Sequence, residues 1–198
     1  MNPAAAGDSP RYTGTAIAFH WAIAVLVLGL IGSGWWMTGA IRDPARQAQA
    51  YEVYQLHKAF GLCVLLLTLG RLAWRLTHRP PPLPAHMNAF ERIGAHGAHI
   101  LLYGLTLAVP MLGWAMVSTS PLGFPTVPFG LFEWPHLPIL GPNDDAAAVE
   151  AGFKLGHKTL AYLAATLVVL HVAAALKHQF VDRDGLLGRM LPFGRPTA

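Results

Sequence analysis

The stretch "LGHKTLAYLAATLVVLHVAAALKH", residues 155–178, is strongly apolar, yet it carries three histidines, His157, His171 and His178. It is longer than the run of about 20 apolar residues that a helix needs to cross a bilayer core of about 30 Å. Ionisable side chains are costly inside lipid, and those that occur there usually serve a function. The stretch therefore predicts a transmembrane helix that contributes to a functional site.

The whole chain has the composition of a membrane protein. Of its 198 residues, 54% are hydrophobic and 12% are charged, whereas soluble domains contain about 25% charged residues. Four segments are long and apolar enough to span a bilayer, at residues 15–37, 53–74, 93–117 and 153–176. We therefore predict an all-α integral membrane protein, a single domain of residues 1–198 that forms a bundle of four transmembrane helices.

The basic residues predict the orientation of this bundle. Four spans place both termini on one side, with nine Lys and Arg residues against five on the other side. The nine are Arg11, Arg71, Arg75, Arg79, Arg92, Lys177, Arg183, Arg189 and Arg195, and the five are Arg42, Arg46, Lys58, Lys154 and Lys158. Because cytoplasmic segments carry the excess of positive charge, both termini are expected in the cytoplasm of a bacterial inner membrane protein.

The segments between and after the spans agree with this orientation. Residues 118–150 form a long outer loop rich in Pro and Gly, with aromatic residues suited to the headgroup zone, and residues 177–198 form a cytoplasmic tail. The net charge of +4 comes from residues near the ends of spans. This distribution favours contact with membrane lipid and argues against a nucleic-acid partner.

Four histidines fall into two pairs by depth. From His157 to His171 a helix turns about 320° and rises about 21 Å, so the two side chains share nearly one face at different depths. His57 lies near the outer end of the second span, level with His157, and His20 lies near the inner end of the first span, level with His171. Two such pairs are typical of two planar cofactors stacked through a helix bundle.

The chemistry of the ligands favours haem over other metal sites. Zinc usually takes three or four protein ligands, whereas each pair offers two. A carboxylate-bridged di-iron site requires inward-facing Glu residues, and the first, third and fourth spans contain no Asp or Glu. Haem iron accepts one axial ligand on each face, which two histidines supply.

Longer motifs resemble those of the bacterial cytochrome b561 family. They are "RYTGTAIAFHW", "LHKAFGLCVLLLTLGRLAWRL", "AHGAHILLYGL" and "HKTLAYLAATLVVLHVAAALKHQFVDRDGLLGRMLP", within residues 11–192. The resemblance implies an inner-membrane protein with two b-type haems, each held by two histidines. It assigns His20 and His171 to the inner haem iron and His57 and His157 to the outer one.

Two further histidines leave an alternative open. His96 and His99 lie near the cytoplasmic end of the third span, at or slightly below the level of His20 and His171. Either side chain could ligate the inner haem. We favour hydrogen bonding to a haem propionate or to a quinone, because the family motif places the inner ligand on the fourth span.

Other polar residues are candidates for secondary roles. His178 lies two turns beyond His171 on the same face, and in the family a histidine at this position is associated with quinone binding. Arg71, at the inner end of the second span, could pair with a haem propionate. Lys58 and Lys158 directly follow the two outer ligands and could neutralise propionates or steer an anion to the outer face.

These expectations lead to transmembrane electron transfer with ubiquinone as one substrate. Some members of the family oxidise superoxide at the periplasmic face and pass the electron to ubiquinone, and this is our specific enzymatic hypothesis. The alternative is a non-enzymatic cytochrome b subunit that shuttles electrons between quinone and a separate dehydrogenase or periplasmic redox partner such as a cytochrome. Since both axial positions are filled, the ligand set argues against oxygen binding.

Overall fold

The computed structural model describes residues 11–84, 86–138 and 145–193, and four long helices account for most of these ranges. They are α1 (Gly14–Ala40), α2 (Gln47–Thr77), α3 (Ala89–Thr119) and α4 (Ala146–Lys177). All four are long and apolar enough to cross a membrane. The predicted all-α membrane fold with four helices is confirmed, while Arg195, residues 139–144 of the predicted loop and residues 194–198 of the tail lie outside the described residues.

Each helix is longer than the apolar segment from which it was predicted, and polar side chains cap the starts of α1 and α3. The Oγ1 atom of Thr13 accepts a hydrogen bond from the N–H of Ala16 at the start of α1. At the start of α3, Asn88 and Glu91 cap each other's backbone N–H groups at 2.9 and 3.2 Å. Such caps satisfy N–H groups that lack partners within the first helical turn.

The helices pack as two hairpins. α1 lies mainly against α2, α3 lies mainly against α4, and α2 joins the hairpins by contacting α3. The buried residues concentrate on α2, whereas no residue of α4 is fully buried. α4 approaches α1 and α2 less closely than it approaches α3. We call this more open boundary between α4 and the α1–α2 hairpin the seam.

One end of the bundle, the termini side, holds both ends of the described chain. After α4, a single π-helical turn covers His178–Asp182, and the chain then turns back across the helix ends. The N–H of Tyr12 donates to the carbonyl of Arg189 at 3.3 Å, and the Arg11 side chain donates to Leu191 O at 2.6 Å. The tail is therefore anchored to the start of α1.

The opposite end, the loop side, carries the segment 120–138. Lys58 Nζ donates to Pro125 O at 2.7 Å, and Trp114 Nε1 donates to Pro135 O at 2.9 Å. The N–H of Trp134 donates to Thr126 O at 2.7 Å, which closes a bridge within the segment. These contacts hold the segment against the ends of α2 and α3.

Candidate functional site

The structure brings four of the histidines together in two pairs that cross the seam. His57 on α2 faces His157 on α4, with 6.3 Å between ring centroids and 70° between ring planes. His20 on α1 faces His171 on α4, with 6.3 Å between centroids and 67° between planes. We call them the loop-side pair and the termini-side pair.

The spacing within each pair fits a metal ion held between two imidazoles. A metal bound at about 2.0 Å to one nitrogen of each ring places the two ring centroids about 6 Å apart. Haem iron accepts such ligands on opposite faces of the porphyrin. The two pairs also differ in depth, since their α4 members are 14 residues apart, or about 21 Å along the helix.

His157 rests against a groove in α3 that a glycine makes possible. Its Nδ1–H donates to the carbonyl of Val109 at 2.9 Å. Gly113 lies one turn further along the same face of α3, and a Cβ atom at this position would stand 3.2 Å from Cε1 and Nδ1 of His157. Because Nδ1 donates to Val109, the lone pair of the imidazole is on Nε2, the atom that can bind a metal.

His57 is held in the same manner by α1. Its Nδ1 lies 3.1 Å from Oγ of Ser33, whose hydroxyl donates to Leu30 O at 3.2 Å. The hydroxyl proton is thus directed to the backbone, and Nδ1–H of His57 donates to Oγ. A Cβ on Gly34 would stand 3.4 Å from Cε1 of His57, which is the near limit of ordinary van der Waals contact.

The two histidines of α3 differ in their surroundings. The His99 ring centroid is 5.7 Å from that of His171, at an angle of 65°, whereas His96 is exposed and its Nδ1 lies 2.8 Å from Arg92 O. Unlike His20, His99 approaches His171 from within the same hairpin. Both α3 histidines border a cavity of about 350 Å³ together with Arg75 and Tyr103.

Arg71 lies half-buried near the termini side of α2. Its guanidinium carbon is 5.2 Å from the centroid of the Tyr103 ring, and the guanidinium carbon of Arg75 is 5.7 Å from the same centroid. Both arginines also line a smaller cavity together with Arg11 and Tyr12. This cluster of cations and aromatic rings is chemically suited to an anionic group such as a carboxylate.

The two lysines next to the loop-side pair have different roles in the fold. Lys58 is partly buried and donates to Pro125 O, so it anchors the segment 120–138. Lys158 is exposed. Of the two, Lys158 presents its ammonium group to the surroundings.

His178 is buried at the end of α4 among carboxylates. Its Nδ1 lies 2.7 Å from Oδ2 of Asp184 and 3.1 Å from Oδ2 of Asp182. His86 Nε2 lies 3.4 Å from the same Asp184 oxygen. Burial alone would raise the pKa of Asp184, but hydrogen bonds from the Leu186 N–H, His178 and His86 hold it below its ordinary value.

Sequence reasoning missed several of these partners. It assigned no role to His86, Asp184, Ser33 or Val109. The acidic residues four and six positions after His178 were a usable signal, because the first lies one helical turn away. The approach of His86 depends on the folding of the tail and carries no local sequence signal.

The chain is similar to known bacterial cytochromes over nearly its whole length. The model of the family described as prokaryotic cytochrome b561 matches residues 11–193. Cytochrome b561 homolog 2 of Escherichia coli strain K12 is 32% identical over 182 residues, covering 91% of each chain. Cytochrome b562 of Cereibacter sphaeroides is 34% identical and covers 93% of this chain and 97% of its own length.

A third relative carries a more specific name. The probable superoxide oxidase CybB of Yersinia pestis is 28% identical, and the match covers 92% of this chain and 96% of that protein. Four membrane-spanning helices, paired histidines and the match of the family model lead to one conclusion. The chain belongs to the prokaryotic cytochrome b561 family of membrane-spanning, b-haem-binding electron-transfer proteins.

Proposed function

We propose that this protein carries electrons across the inner membrane with two b-type haems, one at each histidine pair, oxidising superoxide at the periplasmic face and reducing ubiquinone at the cytoplasmic face. The observation that carries the proposal is the recurrence of one geometry at two depths, 6.3 Å between ring centroids across the seam. A bound b haem would supply a one-electron couple, and the two imidazoles of each pair would hold it.

The residues around each pair have separable tasks. His57 and His157 ligate the loop-side haem, and His20 and His171 ligate the termini-side haem. His99 is not a ligand in this proposal, because α3 packs closely against α4, whereas the proposed haem lies in the more open seam between α4 and α1. Arg71 pairs with a propionate of the termini-side haem, which its half-buried guanidinium favours.

Superoxide is the proposed electron donor at the loop side. The name of the Yersinia pestis relative supports this choice. Superoxide is a small anion, and a cation close to the entry point raises its local concentration. Lys158 is exposed and directly follows a ligand of the loop-side haem, while Lys58 has the lesser role in steering because its ammonium group binds Pro125.

Ubiquinone is the proposed acceptor at the termini side, next to His178. This histidine follows His171 by seven residues, which is about 10.5 Å along the helix and nearly the same face. In the balanced reaction, two superoxide radicals each lose one electron and become dioxygen. One ubiquinone gains two electrons and two protons and becomes ubiquinol.

The number and position of the haems are tested by ligand substitutions. We expect two haems per chain by the pyridine haemochrome assay, one haem in His57→Ala or His157→Ala, and one haem in His20→Ala or His171→Ala. His99→Ala should retain two and serves as the matched control. One haem per wild-type chain would contradict the two-site model, and loss of a haem in His99→Ala with both retained in His171→Ala would reassign the ligand.

The donor is tested by stopped-flow mixing of the oxidised protein with superoxide, with superoxide dismutase as a control. We expect rapid haem reduction that slows as salt rises, because the Debye length falls from about 10 Å at 0.1 M to about 3 Å at 1 M. Lys158→Glu should slow reduction, whereas Lys177→Glu at the opposite end should not. Reduction no faster than that of a free bis-imidazole haem would exclude superoxide and favour the non-enzymatic cytochrome b subunit.

A further inference from the structure

The tail after α4 builds a line of titratable groups from the surface to the end of the fourth helix. The His86 side chain is 61% exposed, the Asp184 side chain is 2% exposed, and the His178 side chain is 10% exposed. One oxygen of Asp184 joins the two imidazoles, at 2.7 Å from Nδ1 of His178 and 3.4 Å from Nε2 of His86. An exposed imidazole is thus connected to a buried one through a buried carboxylate.

This arrangement is held in place from several directions. The N–H of Leu186 donates to the other oxygen of Asp184 at 3.0 Å, which fixes the carboxylate. Arg92 donates to Met87 O at 3.1 Å and to Pro84 O at 3.3 Å, which positions the backbone on both sides of His86. The turn at Arg183, with φ of 54°, brings Asp184 back towards His178.

The neighbouring carboxylate, Asp182, is already neutralised by a cation. Lys177 Nζ lies 2.7 Å from Asp182 Oδ2 and 2.9 Å from Glu91 Oε1, so these three groups form an ion-pair network that joins α3, the end of α4 and the π-helical turn. Asp184 has imidazoles as its side-chain partners instead. A carboxylate between two imidazoles can stabilise the protonated form of either ring.

We propose that His178 and Asp184 form the proton-donating dyad for quinone reduction and that His86 is the group through which this dyad recovers its proton from the cytoplasm. The inference rests on the proposed quinone site beside His178. Ubiquinone needs two protons for every two electrons. A quinone site at the end of α4 therefore needs a route by which protons arrive from the cytoplasm.

The dyad returns to its starting protonation state after each proton that it delivers. The imidazolium of His178 gives its Nε2 proton to a quinone oxygen and becomes neutral, and a turn of the ring then exchanges its protonated and bare nitrogens, which leaves a bare nitrogen to accept the next proton from Asp184. The dyad then regains one proton from cytoplasmic water by way of His86. Two such cycles supply the two protons of one ubiquinol, and the cluster ends with the protons with which it began.

The test separates proton delivery from electron transfer in the purified holoprotein. Reduced protein is mixed with ubiquinone-1, and haem reoxidation is followed from pH 6 to 9 in H₂O and D₂O. We expect Asp184→Asn to slow reoxidation about tenfold or more, which is less than the roughly 10²- to 10⁴-fold contribution of a whole general acid because His178 itself is retained. Reoxidation by ferricyanide, which takes an electron and no proton, should be unchanged.

The surface variant His86→Gln provides an independent arm, because an exposed side chain can be replaced with little effect on folding. The haem of this variant should be reoxidised by ubiquinone-1 more slowly than that of the wild type. The difference in rate should grow as pH rises, since protons in solution become scarcer. His136→Gln, an exposed histidine on the loop side, is the matched control and should follow the wild type at every pH.

The outcomes distinguish the inference from the function on which it rests. If the wild type is not reoxidised by ubiquinone-1, the proposed quinone reduction fails. If the wild type is reoxidised but His86→Gln and a correctly folded Asp184→Asn match it at every pH, with no solvent isotope effect, the proton route is wrong while the function stands. If Asp184→Asn loses its haem spectrum, the comparison of His86→Gln with the wild type alone tests the proton route.

Discussion

At the scale of single residues, the loop-side histidines pack against two glycines of neighbouring helices. A Cβ on Gly113 would stand 3.2 Å from His157, and a Cβ on Gly34 would stand 3.4 Å from His57. The shorter distance is closer than ordinary van der Waals contact, so the His157 ring would have to move. A moved ring would also lose its hydrogen bond to Val109, which orients Nε2.

We therefore expect the two alanine substitutions to differ in their effect on the haem proposed for the loop-side pair. Gly113→Ala should reduce haem occupancy more than Gly34→Ala does, because only the Cβ at position 113 would be closer to its ring than ordinary van der Waals contact. Gly104→Ala on the same helix is the matched control, since nothing lies within 4 Å of a Cβ there. The readout is haem per chain by pyridine haemochrome with the low-spin spectrum, and equal occupancy in Gly113→Ala and Gly104→Ala would contradict the argument.

The sequence predicted which residue types face each other but not how the rings are oriented. Depth along a helix follows from a fixed rise per residue, so His157 and His171 could be assigned to different levels from their spacing. Their centroid distances to His57 and His20 depend on packing between helices, which no local pattern records. The role of His99 stayed ambiguous in the sequence, because depth alone does not show whether a histidine faces His171 from α1, across the seam, or from α3.

At the scale of elements, α4 and the tail that follows it differ most from what the sequence predicted. The apolar run predicted a span that ends at residue 176, but the helix passes Lys177 into a π-helical turn over His178–Asp182. The chain then reverses at Arg183 and returns to α1. A reversal of this kind depends on contacts distant in sequence, so hydropathy had no means of predicting it.

The contact between this tail and α1 can be tested with one hydrogen bond. Trp21 Nε1 donates to Met190 O at 2.8 Å, and a hydrogen bond of this type contributes about 1 kcal/mol. We expect Trp21→Phe to speed protease cleavage of the tail roughly fivefold, because 1 kcal/mol is a factor of about five in the docked population. Trp35→Phe, an exposed tryptophan at the other end of α1, should leave cleavage at the wild-type rate, and an equal rate in both variants would show that the bond does not hold the tail.

At the scale of the whole molecule, the two hairpins differ in how tightly they pack and in how their paired histidines are divided between the helices. The α1–α2 hairpin contains most of the tightly packed residues, whereas α4 contributes a histidine to both pairs and no fully buried residue. α4 therefore acts as the shared wall of the two sites. Each α4 histidine belongs to one pair, so a change at His157 or at His171 is expected to affect the proposed haem site of that pair alone.

The orientation of the molecule decides which pair meets the periplasm. Tyr12 and Arg189 are hydrogen-bonded, so the two ends of the described chain lie on one side of the membrane whatever the direction of insertion. The excess of Lys and Arg on that side predicts that it is cytoplasmic. Superoxide oxidation at the loop side requires this orientation.

Reporter fusions at the C-terminus provide the measurement. Alkaline phosphatase needs the oxidising periplasm to form its disulfides, so a fusion after Ala198 should be inactive, and a fluorescent-protein fusion at the same position should be bright. A phosphatase fusion after Ser120, at the loop-side end of α3, is the control and should be active. An active phosphatase after Ala198 would place the His20–His171 pair at the periplasmic face, and the donor and acceptor sides proposed above would have to be exchanged.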